Sequence, residues 1–199
     1  PSLKHINKMN LDNFKIQIRK ITDFSENECS MFIPYINSIK IKKGEYFLKE
    51  NQQVNEIAFI EKGVLRLYYL SDGQEINNHF FLENDYAVSY LDLLKKRPSR
   101  YYIQALEDSE LLTLNADSLQ LAYDNSKNWE RFGRIIAESV YAIATNRFES
   151  FLFLSAKERY LQMLNDYPRF IQRIPLYHLA SYLGIERESL SRIRKEISK

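Results

Sequence analysis

The 199-residue chain holds one cysteine, five glycines, five prolines and three histidines, and each scarcity removes a class of protein. Cys29 alone cannot form an internal disulfide, which excludes a secreted disulfide scaffold and favours a reducing cytoplasm. Like most free cysteines it is expected to be buried and inert. A cluster held by four thiolates is excluded on the same count. His5, His79 and His178 are spread across the chain, and no His/Cys/Asp group has ligand spacing. No glycine-rich phosphate loop and no Ser/His/Asp motif is present, so catalysis has no visible residues. No apolar run approaches the ~18 residues of a membrane span. The N-terminus, with Lys4, His5, Lys8, Asp12 and Lys15 recurring through it, lacks the apolar core of a signal peptide.

What is present suits a folded, cytoplasmic protein. Hydrophobic residues make up 45%, charged residues 27% and aromatic residues 14%, far from the composition of disorder. Net charge is only +2, yet residues 155–199 carry nine Lys/Arg against five Asp/Glu, which leaves the rest of the chain slightly acidic. A small basic unit on a neutral body is the electrostatic footprint of a nucleic-acid-binding module.

Ser25-x-x-Glu28 reads as a capping box that starts a short helix ending near Pro34, with Phe24 before it as a staple. From Ile39 to Leu114 the chain breaks into eight short runs rich in Ile, Val, Tyr, Phe and Leu, one of them Tyr86 to Tyr90. Gly44, Gly63 and Gly73 fall between runs, and Ser71-Asp72-Gly73 is the clearest turn. Short strands at regular spacing predict a β-roll or jelly-roll rather than a parallel α/β sheet. After Leu114 the period turns helical: Asn115 or Asp117 caps a short helix, and a long one runs from about Trp129 to Leu154. Trp129, Phe132, Ile136, Val140 and Ile143 recur along it at three- and four-residue steps, as in a helix that pairs with a partner. The spacing Leu176, Leu179, Ala180, Leu183, Gly184, Ile185, Leu190, Ile193 then predicts a helix-turn-helix. Ala180 is small where the helices cross, and Gly184 supplies the positive φ of the turn.

A β-roll, a long helix and a C-terminal helix-turn-helix in this order resemble the Crp/Fnr family of bacterial transcription regulators over nearly the whole chain. The run Leu183-Gly184-Ile185-Glu186-Arg187-Glu188-Ser189-Leu190-Ser191-Arg192-Ile193 is similar to that family's turn and recognition helix. Lys43-Gly44-Glu45, Glu61-Lys62-Gly63-Val64 and Asp72-Gly73 fall where the family places turns, and Asn84-Asp85-Tyr86 stands for its Gly-Asp-Phe. The resemblance implies an α+β chain with three parts: a cyclic-nucleotide-binding-like β-roll over 1–126, a dimerisation helix over 127–154, and an all-α DNA-binding domain over 155–199. It implies a homodimer on a palindromic operator in double-stranded DNA, with RNA polymerase and a small-molecule effector as further partners, and no membrane. Arg187, Glu188 and Arg192 are the expected base readers, Ser189 can contact either a base or a phosphate, and Arg173, Arg194 and Lys195 are the expected phosphate contacts.

The departures concern the effector. Cyclic-AMP-binding members hold the ribose with Gly-Glu and the phosphate with Arg-Ser or Arg-Thr, whereas Val88-Ser89 and Ser99-Arg100 occupy those places here. The carboxylate is lost, and the arginine, one place late, points to the other face of a strand. Cyclic AMP is therefore not the expected effector, and no cofactor is expected. The chain also ends soon after the second helix of the motif, so no winged hairpin is expected. Two other readings compete: a sensor acting through protein contacts, and a cupin-like jelly-roll enzyme. The enzyme needs converging ligands, and His79 is the only histidine in the strand region.

Overall fold

The computed structural model describes residues 11–197. Lys4, His5 and Lys8, noted above, lie outside the described residues. The chain opens with helices α1 (Asp12–Ile21) and α2 (Glu26–Phe32) and a single 3₁₀ turn at Ile33–Tyr35. The Ser25 capping box is formed in full: its hydroxyl accepts from the Glu28 amide, and Glu28 reaches back to the Ser25 amide. Eight strands follow: β1 (Ile36–Ile41), β2 (Tyr46–Leu48), β3 (Glu56–Lys62), β4 (Leu65–Ser71), β5 (Gln74–Phe81), β6 (Tyr86–Ala87), β7 (Tyr102–Ala105) and β8 (Ser109–Asn115). They form two four-stranded antiparallel sheets, in the orders β1-β8-β3-β6 and β2-β7-β4-β5. The β4–β5 hairpin closes on Asp72 and Gly73 with φ of 50° and 78°, the left-handed pair that a two-residue turn matched to sheet twist demands.

Alternation along the strands sorts the side chains into three layers. Leu48, Ala58, Ile60, Leu65, Leu67, Ile103 and Leu111 fill the space between the sheets. On the outer face of the first sheet, Ile36, Phe59 and Leu112 pack against α1 and α2 and against Trp129 and Phe132. The outer face of the second sheet is polar and aromatic, with Arg66, Tyr68, Tyr102 and Gln104 in adjacent register positions.

One predicted strand is shorter than expected. The run from Tyr86 to Tyr90 pairs only over Tyr86–Ala87 and then turns into a short helix α3 (Tyr90–Leu94). The cause is Asp92, wholly buried, whose carboxylate gathers donors from Ser89, Arg97 and the Arg100 amide and curls the segment around itself.

After β8, α4 (Ala116–Asn125) is capped by Asn115, and the long helix α5 (Lys127–Phe153) is capped by Ser126. Four helices complete the chain: α6 (Ala156–Asp166), α7 (Pro168–Arg173), α8 (Leu176–Leu183) and α9 (Arg187–Ile197). Their core of Tyr160, Met163, Phe170, Leu179, Leu183 and Leu190 is continuous with Val64, Phe80 and Leu82 of the β-roll. Among the described residues no helix is long and apolar enough to cross a membrane.

Candidate nucleic-acid interface

Helices α8 and α9 form the helix-turn-helix. Gly184 caps α8 with φ +67°, and the amides of Gly184 and Ile185 return to the carbonyls of Ser181 and Ala180. A Cβ at Gly184 would also stand 2.7 Å from the Phe151 ring, so the glycine answers both to the turn and to α5 packed beside it. Leu190 is fully buried and Ile193 packs beside it, which fixes α9 by one face.

The other face of α9 is turned to solvent. Arg187, Glu188, Arg192 and Lys195 are exposed, Ser189 is half-buried, and Arg192 donates to the Ser189 hydroxyl at 3.2 Å. Arg194 lies exposed in the last turn with Lys195, where cations favour the helix dipole. The expected base readers therefore lie together on one exposed surface.

Arg173 is placed differently from expectation. Its guanidinium grips Glu107 through Nε at 3.1 Å and a terminal nitrogen at 2.5 Å, and donates to Glu83 at 2.6 Å. Arg169 also pairs with Glu83. Burial pushes the Glu83 carboxyl up, but Arg173 and the Gly63 amide outweigh it and hold the group at about 2. In this arrangement Arg173 clasps α7 to the β-roll and does not stand free for a phosphate. Sequence spacing gave no sign of the two carboxylates, which lie 90 and 66 residues away.

A second set of contacts joins α8 to the polar outer face of the second sheet. Arg66, almost wholly buried, bonds Gln104, Glu75 and His178, and stacks on the Tyr68 ring at 3.9 Å. Asn77 donates to His178 through its side chain and to the Ser181 hydroxyl through its amide. Burial, with Arg66 beside it, lowers His178 to about 4. Arg147 of α5 completes the joint by donating to the carbonyls of Asn77 and Tyr182. The sequence carries no sign of this joint, because a buried polar contact between distant elements has no local periodicity.

The expected effector residues do not converge on an open anion site. Val88, Ser89 and Ser99 are buried, and the Arg100 side chain is exposed, its Nε 3.8 Å from Asp92. The Asp92 carboxylate itself takes the donors of Ser89, Arg97 and the Arg100 amide. Burial raises its pKa, but the Arg97 bond and the other donors bring it net below the ordinary value. A buried side-chain carboxylate thus stands where the strand segment's donors gather. Among the described residues no group of His, Cys, Asp and Glu is arranged to hold a metal ion.

The dimerisation stripe also divides. Trp129 and Phe132 are buried against Phe24 and Phe32 within their own chain, so neither can meet a partner. Ile136 and Val140 face a cavity beside the first sheet, and Ile143 faces α6 and α8 while remaining 37% exposed. The face left uncovered carries Tyr141, Phe148 and Leu152, exposed by 73%, 63% and 59%, with exposed Ala144 between Tyr141 and Phe148. The steps of three and four hold for both faces, because α5 is apolar on two sides and periodicity cannot say which side the chain itself covers.

These features define a class: a cyclic-nucleotide-binding-type β-roll joined through a long helix to a helix-turn-helix. Residues 38–126 match the family described as the cyclic nucleotide-binding domain. Three solved structures show how far the likeness extends. FixK2 from Bradyrhizobium japonicum superposes with a TM-score of 0.73 at 19% identity, covering 82% of this chain and 84% of its own. A transcriptional regulator of the Crp/Fnr family from Eubacterium rectale gives 0.67 at 18%, covering 96% and 88%. The c-di-GMP-responsive global regulator CLP of Xanthomonas campestris gives 0.68 at 15%, covering 87% and 92%. No curated protein matches in sequence. Residues 38–126 are thus similar to a cyclic nucleotide-binding domain, and the chain shares its fold with the Crp/Fnr transcription regulators over most of its length.

Proposed function

We propose that the chain is a homodimeric DNA-binding transcription regulator that inserts α9 into the major groove. The observation that carries this reading is α9 itself: held by fully buried Leu190, it presents Arg187, Glu188 and Arg192 together to solvent. An arginine fork suits guanine O6 and N7, and a glutamate suits the cytosine amino group. Arg187 and Arg192 lie about 140° apart around the helix, so both reach base edges when α9 enters by its N-terminal end. Arg194 and Lys195 follow as phosphate contacts, which supply affinity without sequence information.

Two copies are required for a palindrome. The seam we assign to them is the uncovered face of α5 with Tyr141, Phe148 and Leu152, since exposed aromatic and aliphatic side chains at this spacing form a pairing surface. Cyclic AMP is not the effector in this reading, because Asp92 occupies the donors a cyclic phosphate would need. Selection of bound sites from random duplexes, followed by footprinting, tests the proposal. The expected product is a palindrome with half-sites about 34 Å, one helical turn, apart. Recovery of no enriched sequence would overturn it.

A further inference from the structure

A cavity of about 440 Å³ lies between the outer face of the first sheet and helices α3, α4 and α5. Interiors pack to crystal-like density with few voids larger than a water molecule, so a space of this size is built rather than left over. It falls within the range of about 300 to 1,000 Å³ typical of small-molecule sites. Its inner wall is mostly apolar, with Ile57, Phe59 and Leu112 from the sheet, Leu119 from α4, and Trp129 and Ile136 from α5; Thr113 and the unpartnered hydroxyl of Tyr86 are the buried polar groups among them. Of the effector residues expected from the sequence only Val88 touches it; Ser89, Ser99 and Arg100 do not.

Charge is confined to the rim, where exposed Lys96 and Asp117 stand with Gln53, Asn55 and Gln120. Lys96 is the only cation among the described residues that line it. Its backbone sits at φ +48°, a conformation in which glycine or asparagine is the ordinary occupant, so backbone geometry does not explain a lysine there. A mostly apolar interior with one ammonium at its mouth fits a chain with a single anionic end. Asp117 on the same rim disfavours a head carrying more than one negative charge.

We propose that this cavity binds a single-chain lipophilic carboxylate, a medium-chain fatty acid, with its tail among Phe59, Leu112, Trp129 and Ile136 and its carboxylate at Lys96. Binding is independent of whether α9 reads DNA, and the test below reads binding alone.

Trp129, the one tryptophan in the chain, lines the cavity and reports its occupancy. Titration of the full chain with ω-bromododecanoate is expected to quench Trp129 fluorescence saturably. Displacement by octanoate, decanoate and dodecanoate should tighten about fourfold per methylene. Dodecanol should displace up to about fivefold more weakly than dodecanoate, the reach of a solvent-exposed ion pair. Lys96→Asn keeps the backbone conformation and should abolish that preference while leaving tail binding intact. Ile136→Trp should fill the cavity, and read by dodecanoate-induced stabilisation in a thermal scan should lose binding, whereas Leu161→Asp, exposed on α6 away from the cavity, should retain it. Absence of quenching, an acid no better than its alcohol on the wild type, or retained binding in Ile136→Trp would each overturn the proposal.

Discussion

Arg66, on the outer face of the β-roll, donates a hydrogen bond to Nδ1 of His178, in the first helix of the helix-turn-helix, at 3.1 Å. A guanidinium can only donate, so Nδ1 accepts and the imidazole is neutral with its proton on Nε2. The two halves of the chain are therefore registered through a histidine that cannot charge without opposing an arginine at hydrogen-bond distance. Glu75, paired with the same arginine at 2.5 Å, pulls the opposite way but does not outweigh burial and Arg66.

This gives a pH dependence with a defined sign. The folded pKa of His178 is about 4, below the ordinary value of 6.5, so its contribution is fully present above pH 6.5 and fades as pH falls toward 4. His79, lowered to about 4 chiefly by burial and then by Arg147, acts in the same window. The loss from His178 is about 1.4 kcal/mol per pH unit within that window. Thermal scans of the wild type and His178→Gln should show a shallower decline in the variant between pH 6.5 and 4. Parallel declines would contradict the assignment.

The Arg173 clasp predicts a competition. Phosphates and the carboxylates of Glu83 and Glu107 seek the same guanidinium. Replacing both by glutamine should release it and raise affinity for random-sequence duplex. The slope of log affinity against log salt should steepen by about one. An unchanged slope by fluorescence anisotropy would mean that Arg173 stays away from DNA even when free.

The two apolar faces of α5 separate in their mutational effect. Phe148→Asp with Tyr141→Asp should give monomers by light scattering at about ten micromolar, with little loss of folding stability, since both side chains are exposed in the single chain. Ile136→Asp should instead lower the melting temperature, because it places a charge against the core built on Trp129 and Phe132. The reverse pattern would put the seam on the side first expected from the sequence.

A thermal scan with millimolar cyclic AMP should show no upward shift. A ligand present at 100 times its dissociation constant would add about 2.7 kcal/mol, which such a scan detects readily. A clear rise would require the Asp92 cluster to open and admit the phosphate.

What the sequence disclosed follows from how local each signal is. The Asp72-Gly73 turn, the Ser25 box and Gly184 are local conformational demands, and the structure meets each of them. A second capping box, Ser155 with Glu158, starts α6 and is a local demand of the same kind. Trp129 and Phe132 misled because one helix serves two apolar neighbours. The Arg66, Asn77, His178 and Ser181 joint, and the grip of Arg173 on Glu107, depend on contacts across 66 to 112 residues, which no spacing rule encodes.

The central claim is that α9 reads bases, and Arg192→Ala tests it most directly. Anisotropy titrations should compare wild type and variant on the selected palindrome and on a shuffled duplex of equal length at fixed salt. The account predicts a loss of about 1 to 3 kcal/mol per half-site on the palindrome and a much smaller loss on the shuffled duplex. An equal loss on both would contradict base reading by this helix.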